Sequence, residues 1–234
     1  MSAPQGQPQG RTRRGQMREA EVPQEQTPDG QAQEDQPGAR AAARRRVTAE
    51  TAIDCRLDLD GSGSVRVGTG LPFFDHMLSQ LGRHSGIDLE LSASGDLAVD
   101  AHHTVEDTGI VLGEALTAAL GDKAGVRRFA SIAVPLDEAL VDVALDLSGR
   151  PFLVYDLAVA PGSPPLGTPP FEPQLAEEFW RAFVTNGAIT LHIRLRSGRN
   201  THHILEASFK AVARALRDAV RIDGAGIPST KGRL

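Results

Sequence analysis

Two stretches of this chain carry one pattern, His102-His103-Thr104-Val105-Glu106 and His202-His203-Ile204-Leu205-Glu206. On a helix, positions i and i+4 share a face with Cβ atoms about 5–6 Å apart. His102 with Glu106, and His202 with Glu206, can therefore each grip one ion. The intervening His103 and His203 sit about 100° round the axis and point to a different ion. One helix start thus supplies ligands to two separate metals. Imidazole plus carboxylate, without thiolate, suits manganese, iron or zinc. The bland alternative is that His-His pairs cap a helix or pack in a core. That explains one pair, but not two copies in register that each retain the carboxylate.

Other polar residues sit in suggestive places. His76 lies in Phe73-Phe74-Asp75-His76-Met77-Leu78, among large apolar neighbours. Alone it reads as a satisfied core histidine. Its counterpart in the internal repeat described below is Glu178, in Glu177-Glu178-Phe179-Trp180, so both halves offer a possible ligand there. His84 ends a helix, where it could complement the dipole or line a site. His192, on a strand, reads as structural. Arg127-Arg128, Arg150, Lys210 and Pro228-Ser229-Thr230-Lys231-Gly232 are dispersed basic elements in an otherwise acidic domain. They read either as solvated surface or as a clamp for a phosphate or carboxylate. The H-E-x-x-H, G-x-S-x-G and phosphate-loop patterns are absent. The single Cys55 excludes an internal disulfide framework and fits a reducing compartment.

The elements that must position these residues come next. The chain has 234 residues and a formal net charge of −5. It has no apolar run near the roughly 20 residues of a membrane span and no signal-peptide core. Its mild acidity argues against nucleic acid as a partner. These features describe a soluble, cytoplasmic protein. Residues 1–46 carry eight Arg against six acids, a net +2, leaving −7 on residues 47–234. Rich in Gln, Pro and Arg, this segment reads as a disordered tail or an over-extended reading frame, since it offers too little apolar surface to offset ordering. From Val47 the pattern predicts strands over 52–60 and 87–93, a short helix over 72–84 and a longer one over 104–120. A strand hairpin over 132–147, a strand over 152–159 and a Pro/Gly-rich loop over 161–173 follow. Helix (174–185), strand (189–196) and long helix (204–220) then return.

This return is a duplication. Leu205, Val212, Leu216 and Val220 match Val105, Leu112, Leu116 and Leu120, whereas Phe209 meets Gly109. Two α+β halves follow, over 47–122 and 123–234, each with a sheet and two helices.

Several blocks resemble those of the imidazoleglycerol-phosphate dehydratase family, over about 188 residues from Val47. They are Phe73 to Leu78, Asp100 to Asp107, Pro135 to Leu140, Leu147 to Pro151, His202 to Ala211 and Pro228 to Gly232. The resemblance implies a duplicated fold with ribosomal protein S5 domain 2-like halves, and trimers assembled into a 24-subunit shell. It implies two manganese ions per active site and dehydration of imidazole glycerol phosphate to imidazole acetol phosphate in histidine biosynthesis. One ion would take His76, His103, His202 and Glu206, the other His102, Glu106, His203 and the residue at 178. Substrate contacts carried over are Glu50, His84, Arg128, Arg150, Lys210, Ser229 and Lys231, with the basic ones and Ser229 on the phosphate. Glu50, with His76, His102, His103 and Glu206, forms the implied catalytic set. Position 178 departs from the family pattern, which has His where this chain has Glu178. Two rivals remain: a shell protein that binds metal without catalysis, and a metal-dependent hydrolase acting on a related phosphate.

Overall fold

The computed structural model describes residues 40–159 and 162–234. The expected disorder of residues 1–39 and the start of the Pro/Gly-rich loop fall outside the described residues. The chain runs β1 (Ala41–Val47), β2 (Thr51–Asp58), β3 (Val65–Gly68), α1 (Pro72–Ser85), β4 (Asp88–Gly95) and α2 (His102–Leu120). It then repeats this order as β5 (Phe129–Leu136), β6 (Ala139–Asp146), β7 (Phe152–Asp156), α3 (Leu175–Gly187), β8 (Thr190–Ser197) and α4 (Thr201–Ala219). The sheets are β1-β2-β4-β3 and β5-β6-β8-β7, so strand order is duplicated too. In each, only the last pair (β3 with β4, β7 with β8) is parallel.

The alternation read from the sequence is visible in the sheets. Ile53, Cys55 and Leu57 on β2 face inward, while Asp54 and Arg56 face out. Burial pushes the Cys55 thiol up to about 12, which removes it as a nucleophile. The helices cover the inner faces: α2 lies on β1 and β2, α4 on β5 and β6. Helices of the two halves then meet each other, α2 on α3 and α1 on α4. Phe74, Phe171, Phe179, Trp180, Phe183 and Phe209 fill this inner region and are fully buried.

One boundary moves. Arg40 to Arg46, assigned above to the tail, belong to the folded part, and Ala41–Val47 pairs along its whole length with β2. Arg40 also donates to the carbonyl of Val220 at the end of α4 and pairs with Asp60. The segment is an edge strand with one fully buried side chain, Ala42, so it lacks the apolar alternation that marks a strand in sequence.

Both long helices begin earlier than expected, at His102 and Thr201, which puts all four paired histidines in helical geometry. Residue 109 explains the one mismatch in the repeat. A Cβ at Gly109 would lie 2.6 Å from the carbonyl oxygen of Phe179, so α2 and α3 touch backbone to backbone. In the other half Phe209 stacks on Phe179, with ring centroids 5.5 Å apart.

Candidate active site

Each helix start is fixed by a residue two positions before its first histidine. The Asp100 carboxylate accepts from the His102 amide at 2.9 Å, and the Asn200 side chain accepts from the His202 amide at 3.0 Å. These contacts satisfy backbone donors that have no helical partner. The i,i+4 pairs then meet: His202 Nε2 lies 2.9 Å and His102 Nε2 3.8 Å from the respective glutamate. His76 on α1 joins the first pair, with Nε2 3.4 Å from Glu206 Oε2. Among the described residues, His76, His202 and Glu206 form a group whose ligand atoms all lie within 4.8 Å of one another. Two imidazole nitrogens and a carboxylate oxygen fit a divalent first-row metal. Burial pushes Glu206 upward, but hydrogen bonds from Lys210, His202 and His76 overcome it and bring the carboxyl down to about 2. The Glu206 carboxyl is therefore charged over the whole physiological range.

His103 and His203 turn elsewhere, as the helix angle requires. His103 Nδ1 lies 3.1 Å from Asp96 and 3.7 Å from Glu50, while His203 Nδ1 donates to Glu138 at 2.8 Å. A carboxylate can only accept, so Nδ1 carries a proton and, in the neutral ring, Nε2 keeps the lone pair; His203 Nε2 lies 3.8 Å from Asp137. Both imidazoles are raised above their ordinary value, first by these hydrogen bonds, and His203 holds Glu138 at about 2. Asp96 and Glu138 were not singled out from sequence. Glu138 is 65 positions from the ring it orients, a separation no local pattern reveals.

The structure splits the expected anion contacts in two. His84 and Lys210 stand with the His76 group: Lys210 Nζ is 2.6 Å from Glu206. His84 is pushed down by burial, then by Lys210 and Arg214. Arg128 and Ser229 lie at the far end of α4. Arg128 donates to the carbonyl of Pro228, next to Ser229, and forks onto Asp146. The terminal residue Leu234 lies against Gly149, beside Arg150. Buried Lys123 donates to the Leu147 carbonyl below them. Lys231 is exposed in the same terminal turn. Glu178 sits in the first turn of α3, next to the Phe179 contact with Gly109.

The two ends are far apart. The Arg128 amide donates to the carbonyl of Ala219, the last residue of α4, and His202 is near its first. Seventeen residues at 1.5 Å each put about 25 Å between them.

Comparison with known proteins gives one answer. Residues 69–216 match the family model of imidazoleglycerol-phosphate dehydratase. A protein of that name from Acidothermus cellulolyticus is 56% identical over 201 residues, covering 83% of this chain and 93% of that protein. Another from Ruegeria pomeroyi is 56% identical over 198 residues, 83% of this chain and all of that protein. The crystal structure of imidazoleglycerol-phosphate dehydratase from Staphylococcus aureus is similar with a TM-score of 0.68 and 36% identity, over 78% of this chain and 99% of that one. The Pyrococcus furiosus enzyme in complex with (S)-C348 gives 0.67 and 35%, over 82% of this chain and all of that one.

Proposed function

The chain belongs to the imidazoleglycerol-phosphate dehydratase family and is a carbon–oxygen lyase, and we propose how its own residues divide the work. The reaction removes water from imidazole glycerol phosphate to give imidazole acetol phosphate, a step of histidine biosynthesis. Nothing in the geometry or the comparisons favours the shell without catalysis or the hydrolase.

The His76, His202 and Glu206 group carries the reading, because it is a preformed donor set at the start of a duplicated helix. We place one ion there, completed by His103 from another copy of the chain. A second ion falls to His102, Glu106 and Glu178, completed by another copy's His203. In each chain His103 and His203 point away from their own helix's pair, each ring oriented by a carboxylate. Manganese is the metal we assign, as a hard ion suited to a site where one ligand is Glu178 rather than imidazole. When bound, the ions supply Lewis acidity toward the substrate's ring nitrogens and hydroxyl.

The remaining chemistry belongs to side chains. The hydroxyl leaves from the carbon beside the ring and a proton from the next carbon, giving an enol that becomes the ketone. Glu50 is the carboxylate we assign to a proton; it stands on the β1–β2 turn beside His103, half-exposed and within reach of a ligand. Arg128, Arg150, Ser229 and Lys231 hold the phosphate and so fix the ring in register. Only three carbons join ring and phosphate, far less than the 25 Å between the two ends of α4. In this scheme one substrate takes its clamp and its ions from different copies, which supports self-association; trimers closed into a 24-subunit shell are the assembly we assign. Among the described residues no helix is long and apolar enough to cross a membrane, and a cytoplasmic location fits this reading.

The test is an assay of the manganese-loaded chain on imidazole glycerol phosphate, beside Glu50→Gln and Glu178→His. Turnover in the natural chain, a loss of at least tenfold in Glu50→Gln and measurable substrate binding in both support the scheme. Full turnover in Glu50→Gln sinks the role of that carboxylate, and turnover only in Glu178→His sinks Glu178 as a working ligand.

A further inference from the structure

Asp107 is a buried carboxylate with no part in the scheme above. It follows Glu106 on α2, is 7% exposed, and meets the ends of β1 and β2. Both its oxygens are used. Arg46 Nε, at the end of β1, donates to Oδ1 at 2.9 Å. The Thr51 hydroxyl, at the start of β2, donates to Oδ2 at 2.5 Å. These two strand ends flank the turn that carries Glu50.

The turn is wired to this carboxylate. The amides of Glu50 and Thr51 both donate to Thr48 Oγ1, at 3.1 and 3.0 Å. Thr48 Oγ1 lies 3.2 Å from Thr51 Oγ1. An ionised carboxylate only accepts, so it takes the single Thr51 proton and forces Thr48 to donate to Thr51. The direction of every bond from the Glu50 amide to Asp107 is thereby set. Thr48 cannot turn its hydroxyl away without leaving a bond unmade. The Glu50 side chain leaves this fixed backbone and reaches to 3.7 Å from His103, on the same helix as Asp107 and one turn before it.

We infer that Asp107 is a positioning residue for the reaction: through Thr51 and Thr48 it holds the turn that aims Glu50 at the metal-ligating start of α2. The inference rests on the role given to Glu50 above. A merely structural part, bracing a hairpin against a helix, makes a different prediction, because it does not depend on which side chain stands at position 50.

The experiment compares Asp107→Asn in the natural chain and in Glu50→Gln, each manganese-loaded and full length. In the natural chain kcat falls between about ten- and a hundredfold, the usual effect of a misplaced reacting group. KM stays within about twofold and bound manganese per chain is unchanged, which separates the effect from neighbouring Glu106. In Glu50→Gln the same substitution changes kcat by less than about twofold, since there is no carboxylate left to aim. Thr51→Val reproduces both results and Thr51→Ser restores activity; this pair carries the test should Asp107→Asn fail to fold. An equal loss in both backgrounds, a loss of manganese, or wild-type kcat in Asp107→Asn would overturn the inference. Full activity in Glu50→Gln would instead overturn the role of Glu50 itself.

Discussion

Gly109→Ala tests whether the backbone contact of α2 with α3 sets the geometry of the second ion site. The added methyl would lie 2.6 Å from the Phe179 carbonyl oxygen and 2.9 Å from Ala182 Cβ, where ordinary contact begins at 3.4 Å. The helices must part by about 0.8 Å, and a backbone carbonyl inside a helix cannot swing aside. Alanine gains about 1 kcal/mol over glycine in helix propensity. Overpacking a tight contact costs about 1–3 kcal/mol. The net loss is about 0–2 kcal/mol, a fall in Tm of up to about 8 °C for a domain of this size. Gly187→Ala is the matched control on the same helix pair, because its methyl meets nothing closer than 3.7 Å; it should be neutral or slightly stabilising. Calorimetry of the metal-free proteins gives the stability, and manganese titration gives the site. Glu178 precedes Phe179 and Glu106 lies three residues before Gly109, so affinity falls in Gly109→Ala and holds in Gly187→Ala. Equal Tm values for the two variants would refute the argument.

Other consequences are open to measurement. Asn200→Ala removes the acceptor for the His202 and His203 amides and should cost about 1 kcal/mol with weaker metal binding, whereas Asn200→Asp should retain both. If copies of the chain share the ions, chelation should convert large particles to smaller ones on size-exclusion chromatography; an unchanged profile would count against ligands from two chains. The Glu138 carboxylate accepts from the His203 ring and favours its protonated form, so the folded pKa of His203 is raised above the ordinary 6.5. That stabilisation is complete below pH 6.5 and is lost as pH rises through the raised value. The Tm advantage of the metal-free natural chain over Glu138→Gln should therefore shrink across that window, and one that grows would be contrary. Metal binding, which needs the neutral ring, should strengthen over the same window and release protons.

The helix-forming blocks and the twice-used H-H-x-x-E were legible because their information is local. Periodicity of 3.6 and the i,i+4 relation say which residues share a face, and the His202–Glu206 and His102–Glu106 pairs follow directly. Their orienting partners were not legible. Asp96 reaches His103 by a turn of the chain, and Glu138 reaches His203 across 65 positions. Asp107 reads in sequence as one more polar residue on a helix, and only the closure of β1 and β2 onto α2 shows what it holds. The basic residues were recognised as a class but not sorted. Lys210 and Arg128 look alike in sequence, yet one sits on Glu206 and the other at the opposite end of the same helix. The Ala41–Val47 strand escaped notice because an edge strand with one buried face needs little apolar content.

The Gly109–Phe209 mismatch bears on the history of the fold as well as its packing. Two copies of an ancestral half could have met as equals, long helix of one on short helix of the other. The present halves no longer can. A pair of second halves would drive Phe209 into the place where α2 needs no side chain at all, against the Phe179 carbonyl. A pair of first halves would leave a gap where that ring now stacks. Each half has become the other's mould, so the fused chain cannot revert to a homodimer of either part, and an exchange of residues 109 and 209 would be tolerated only together with the helices they face.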